Sequence, residues 1–125
     1  MSKNFLQVAA AGLILAFGCW VLWLWHVAPV PITRIYVETG SMEPVLHVGS
    51  EYACTPPALA PFDGIKVGYK IGNIVEFDAT WTAKPVAHRA VRKTLDGIVT
   101  KGDANATEDP GFVTPINYRG TVQIP

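Results

Sequence analysis

Three kinds of side chain that together carry out acyl transfer are spread along this chain. Ser41 lies in Thr39-Gly40-Ser41-Met42-Glu43-Pro44 and His88 in Ala87-His88-Arg89. Asp103 and Asp109 bracket the run Asp103-Ala104-Asn105-Ala106-Thr107-Glu108-Asp109. A serine hydroxyl is a weak nucleophile at neutral pH, so it needs a base to take its proton as it attacks, and the base needs a third group to hold its ring. Ser41, His88 and one of the two aspartates fit those roles. Only a neutral imidazole can accept the serine proton, so activity is expected to rise with pH. The Thr39 hydroxyl and the Ser41 amide are candidate donors to the oxyanion of a tetrahedral intermediate. Gly40 is expected to permit a turn or a close approach to a substrate.

Other chemistries fit less well. Lys84, Lys93 and Lys101 are alternative bases in principle, because a desolvated lysine can serve, but none holds the strand position of His88. No two histidines have the short helical spacing of a zinc site and neither cysteine lies near one, so no metal or other cofactor is expected. His26 is expected at a membrane interface and His47 on the surface. Ten basic and ten acidic residues cancel without clustering, which argues against nucleic-acid binding.

The elements that must position these groups follow from the hydrophobic pattern. With 125 residues the chain has room for one folded unit, and its first quarter is too apolar for a soluble core. From Phe5 to Val27 there is no Asp, Glu, Lys or Arg. At about 1.5 Å per residue such a helix crosses a hydrocarbon core of about 30 Å. Trp20, Trp23 and Trp25 crowd its end, where indole rings favour the headgroup level, and Pro29 and Pro31 close it. The stretch is too long for a cleaved secretory signal and ends in tryptophans rather than small residues. A lipoprotein-type Cys19 is disfavoured by bulky Phe17. Lys3 precedes the stretch and the next cation is Arg34, so the amino end is expected in the cytoplasm and the remainder outside it or in a lumen.

The expected division is a cytoplasmic stub over 1–4, an anchor over 5–27, a linker over 28–33 and a mainly β domain over 34–125. Strands are expected at 32–37 and 71–77 from β-branched and aromatic content with partial alternation, at 86–93 and 98–101 because they flank Asp96-Gly97, and at 120–124. No helix of length is expected after Pro31. Pro56, Pro57 and Pro61 mark Cys54 to Lys70 as a long surface loop. Asp96-Gly97 suggests a type I′ hairpin turn. With those two residues as the loop, Leu95 pairs with Ile98 and His88 falls opposite Asn105. Asp103 then shares the face of His88, and Asp109 follows before Pro110-Gly111, where the chain can turn back to the same imidazole.

Four segments in this order resemble the successive boxes of type I signal peptidases. They are Ser41-Met42-Glu43-Pro44, Gly72-Asn73-Ile74-Val75-Glu76-Phe77, Val86-Ala87-His88-Arg89-Ala90-Val91 and Thr100-Lys101-Gly102-Asp103-Ala104-Asn105. The resemblance covers the chain from about residue 35 to the end. A histidine at 88 places it with the branch found in the endoplasmic reticulum, in archaea and in some sporulation-type enzymes, rather than with the lysine-based bacterial branch. The resemblance implies a small β peptidase on a single membrane helix, with Ser41 as nucleophile, His88 as general base, Asp109 as orienting acid, Asp103 as a second acid and Thr39 in the oxyanion hole. It departs from the family at Asn73, where aspartate is usual, and in the Pro-rich loop. The implied activity is removal of signal peptides after small residues from exported preproteins at a lipid bilayer, with helper subunits left open. Two rivals are a peptidase dedicated to one secreted or envelope substrate, and an inactive membrane-tethered module that binds peptides by strand addition.

Overall fold

β-branched and aromatic residues after the proline-rich linker form six strands in one antiparallel sheet, so the domain is mainly β. The structure is a computed structural model that describes residues 3–27 and 29–125, with the side chains of 3–6, 8, 11 and 24–27 left outside that description. Strands β1 (Thr33–Tyr36), β2 (Glu51–Thr55), β3 (Ile74–Phe77), β4 (Val86–Lys93), β5 (Ile98–Lys101) and β6 (Tyr118–Val122) are arranged β1-β2-β6-β3-β4-β5. Helix α1 runs Lys3–Val27, and Leu13, Ile14, Leu15, Phe17 and Trp20 on it are exposed. Among the described residues no helix is long and apolar enough to cross a membrane. The side chains of Trp25 and His26 lie outside the described residues.

The sheet is covered on both faces. Successive strand residues point to opposite sides, so Ile74 and Val75 enter different cores. Val75 joins Phe77, Ala90, Ile98, Val113 and Tyr118, whereas Ile74 joins Val37, Met42, Leu46 and Val122. Burial on both sides explains why β3 reads as a nearly continuous apolar run rather than an alternation.

Three expectations are corrected. Cys54 and Thr55 are not loop but the end of β2, which pairs with β1 and with Val122 and Thr121 of β6. The rest of the Pro-rich segment is fastened to the core: Phe62 packs edge-on against Tyr118 with ring centroids 5.8 Å apart, and the Tyr118 hydroxyl donates to the Ala60 carbonyl at 2.7 Å. The last strand starts at Tyr118 rather than Gly120. The hairpin register also differs, since Lys93 pairs with Ile98 and the loop spans Thr94 to Gly97. Only Gly97 has positive φ there, at 145°, so a type I′ turn does not form, and the Thr94 hydroxyl instead closes the loop onto the Gly97 carbonyl. An irregularity between Ala90 and Arg92 then shifts the pairing, and Arg89 faces Lys101. His88 therefore does not lie opposite Asn105.

Cys54 is fully buried, and desolvation, aided by the nearby Glu76 carboxylate, pushes its thiol up to about 12. In a Cys19→Ala background, Cys54 is expected to resist a maleimide at about pH 8 in the folded protein and to label fully once unfolded in denaturant. Labelling of the folded form at the rate of a free thiol, followed by intact-mass measurement, would contradict the β2–β6 packing.

Candidate active site

Ser41 sits in a single 3-10 turn, Gly40–Met42, directly after β1. Met42 anchors the turn by burying its side chain in the second core, where it is 2% exposed. From the other side the Ser41 carbonyl accepts the Ala104 N–H at 2.9 Å, and the Met42 sulfur accepts the Asp103 N–H at 3.4 Å. The chain at 102 must approach closely to make these bonds. A Cβ on Gly102 would lie 2.6 Å from the Ser41 carbonyl oxygen, so this glycine admits the contact. Gly40, which the sequence suggested for such a role, has neither a positive φ nor a crowded Cβ position.

His88 projects from β4, opposite Val75 of β3, and is 7% exposed. Its Nδ1 lies 2.7 Å from Asp109 Oδ2 and its Nε2 lies 2.9 Å from Ser41 Oγ. An ionised carboxylate only accepts, so Nδ1 carries the proton and the neutral ring presents a bare Nε2 to the serine hydroxyl. The three side chains thus form one hydrogen-bonded relay in which Ser41 donates to His88 and His88 donates to Asp109. Ser41 has only one proton to give, so the Thr39 hydroxyl, 3.3 Å away, is the donor to Ser41 Oγ. That puts an O–H beside the point where negative charge develops when Oγ attacks a carbonyl.

Asp109 is fixed as firmly as the histidine. The Thr100 hydroxyl donates to the same Oδ2 at 2.6 Å, and the Asp109 N–H donates to the Thr100 carbonyl at 2.8 Å. Thr100 is 1% exposed and comes from β5. It is a positioning residue that the sequence reading missed. A threonine alternating with apolar Val99 gives no signal of its own, although its place nine residues before Asp109 is visible once the turn is known.

Asp103 is not at the imidazole. With the hairpin register shifted, it meets Arg89, the neighbour of His88 that points to the other face of β4. The contact is bidentate: Arg89 Nε donates to Oδ1 at 2.8 Å and an η nitrogen donates to Oδ2 at 2.6 Å. The second η nitrogen donates to the Gly72 carbonyl at 2.8 Å. The Asp103 hydrogen bonds, opposed by desolvation, hold the Arg89 guanidinium above its ordinary range. Asp103 therefore supports the site through the turn that holds Ser41 and makes no contact with the base. Asn73, where the resemblance leads one to expect aspartate, pins the preceding loop by accepting the Lys66 N–H at 3.1 Å through Oδ1. Lys84 pairs with Glu38, and Lys101 lies over the Tyr69 ring, so neither occupies the base position. His47 is exposed and bonded to Glu43.

A cleft of about 600 Å³ opens beside the relay, bounded by β1 on one side and the start of β4 on the other, with Ser41, Thr39 and His88 on its wall. Among the described residues no group of acidic, histidine or cysteine side chains could hold a metal ion. No protein-family model matches the sequence, and no curated protein matches it.

Arg89 is 3% exposed and the Asp103 side chain 10%. Arg89→Met leaves a buried carboxylate without its cation and is expected to lower unfolding free energy by about 3–5 kcal/mol. Arg89→Met/Asp103→Leu should lose clearly less, because no charge is then stranded. Urea titration followed by tryptophan fluorescence measures both, and equal losses would show that the pair is not electrostatically coupled.

Proposed function

We propose that this chain is a membrane-anchored serine endopeptidase of the type I signal-peptidase kind, in its histidine-based branch, removing amino-terminal signal peptides from exported preproteins after small residues. The observation that carries the reading is the Ser41–His88–Asp109 relay, with consecutive distances of 2.9 and 2.7 Å in a largely buried setting. His88 takes the Ser41 proton as Oγ attacks the peptide carbonyl, and Asp109 steadies the imidazolium that forms. Thr39 and the Ser41 amide receive the oxyanion. His88 then delivers the proton to the leaving amine, and water repeats the sequence on the acyl-enzyme.

A peptide substrate is favoured by the strand edges beside the cleft. β5 pairs with β4 only from Arg89 onward, so Val86 to His88 have a free edge on that side, and β1 is itself an edge strand. An extended chain can add there by main-chain hydrogen bonds and bring a carbonyl to Ser41.

The anchor belongs to this proposal. α1 is 25 residues long, and the sequence from Phe5 to Val27 has no charged side chain. Leu13, Ile14 and Leu15 are consecutive and all exposed, so the helix is apolar around its circumference, which suits lipid better than water. The amino end would lie in the cytoplasm and the β domain outside it or in a lumen, with preproteins, the bilayer and optional accessory subunits as partners. Dedication to a single secreted or envelope substrate is a second reading, favoured by the acidic Glu76 in the lining of the cleft. An inactive peptide-binding module leaves the relay without a use.

The purified chain in detergent, incubated with a preprotein, should release the signal peptide at one bond, read by mass spectrometry. Ser41→Ala should abolish the cut. Asp109→Asn should lower kcat by about 10³–10⁴-fold through the wrong ring tautomer, with little change in folding. Wild-type rates in either variant would remove the relay from the mechanism.

A further inference from the structure

Two side chains that line the cleft and that the relay does not use are bonded to each other from opposite walls. Glu38 lies just beyond β1 on one wall and Lys84 just before β4 on the other. Lys84 Nζ donates to both carboxylate oxygens of Glu38, at 2.8 and 2.6 Å. Among the described residues no other hydrogen bond joins 34–41 to 82–88, except the one between Ser41 and His88. Both side chains stand largely in water, with 52% of Glu38 and 70% of Lys84 exposed, so the ion pair passes over the solvent side of the cleft.

The two walls are the strand edges to which a peptide would add. A strand inserted between them needs about 9.4–9.8 Å, twice the spacing of paired strands. A lysine and a glutamate side chain are together long enough to reach over such a strand. A chain cut at an internal bond continues in both directions from Ser41, and with folded sequence downstream it cannot be threaded end-first beneath a closed ion pair. It has to enter sideways, and the pair has to part first. A pair this exposed can do so, because pairs of its kind favour the closed form by no more than about fivefold and salt weakens them. Resting on the endopeptidase reading, we propose that Glu38 and Lys84 form a strap over the cleft, closed in the empty enzyme and parted to admit an extended chain. The closed strap competes with substrate for the mouth of the cleft, so it raises KM and leaves the proton transfers between Ser41 and His88 untouched.

The test uses the full chain in detergent and a preprotein with a folded domain downstream of its signal peptide. Lys84→Met keeps an unbranched apolar stem and removes the charge. It should lower KM about two- to fivefold with kcat unchanged, the range that an exposed pair allows. Wild-type KM should fall towards the Lys84→Met value between about 50 and 500 mM salt, a comparison that needs no variant to fold. A Lys84→Met KM equal to or above that of the wild-type protein at low salt would overturn the strap. The second arm makes it covalent. In a Cys19→Ala background, Glu38→Cys/Lys84→Cys is bridged with a short bis-methanethiosulfonate, which does not reach the buried Cys54. The bridged protein, verified by intact mass, should stop cleaving the preprotein and resume when reductant opens the bridge, with each single-cysteine variant treated alike to give the effect of the label alone. Cleavage at the unbridged rate with the bridge in place would also overturn the strap. Fluorescence anisotropy of a labelled preprotein with the bridged Ser41→Ala form separates the two readings. Binding that is blocked and then restored by reductant, beside a wild-type protein that never cuts, would sink the endopeptidase reading and leave the strap standing, whereas cleavage that ignores the bridge would do the reverse.

Discussion

The buried ion pair between Arg89 and Asp103 is the constraint from which the rest of the site follows. Two desolvated charges tolerate each other's absence poorly, so both side chains and the backbone behind them are held to one arrangement. On Arg89's side that backbone is β4, whose adjacent residue His88 points to the opposite face. On Asp103's side it is the 102–105 turn, which grips the carbonyl of Ser41 through the Ala104 amide and the sulfur of Met42 through its own. One strand therefore supplies His88 on one face and the clamp for the Ser41 turn on the other. These two anchors bring the imidazole and the hydroxyl to 2.9 Å.

The other half of the relay is fixed by a separate device. Asp109 comes from the segment that leaves β5, and its main-chain and side-chain bonds both run to Thr100. Buried groups in low dielectric gain from being fully paired, and here the histidine, the aspartate and the threonine satisfy one another. Among the described residues no buried side-chain nitrogen or oxygen lacks a partner.

Much of the sheet was legible because β3 and β5 carry dense β-branched content and β4 runs up to the Asp96-Gly97 turn signal. β2 was not, since Glu51-Tyr52-Ala53-Cys54-Thr55 offers two small residues, one aromatic and an immediate Pro-Pro, and its identity as a strand comes from pairing with β1 and β6. The hairpin misled for a related reason. Asp-Gly is a strong turn signal, but the Thr94 side chain captures the Gly97 carbonyl and lengthens the loop, and an irregularity after Ala90 adds a further shift. A register difference of this kind exchanges faces across the strand, which is why Asp103, expected on the face of His88, lies instead with Arg89 on the other.

Residue types and their order alone determined that the chain holds a serine, a histidine and aspartates able to form one relay, and that they belong to a mainly β unit behind an uncharged apolar run, because side-chain type and hydrophobic periodicity are properties of the chain itself. Which aspartate meets the histidine, that Thr100 steadies it, and that Gly102 rather than Gly40 admits the close backbone contact were decided only by tertiary structure. Those facts depend on strand register and on which backbones approach within hydrogen-bonding distance. Both are set by non-local pairing, which local sequence does not encode.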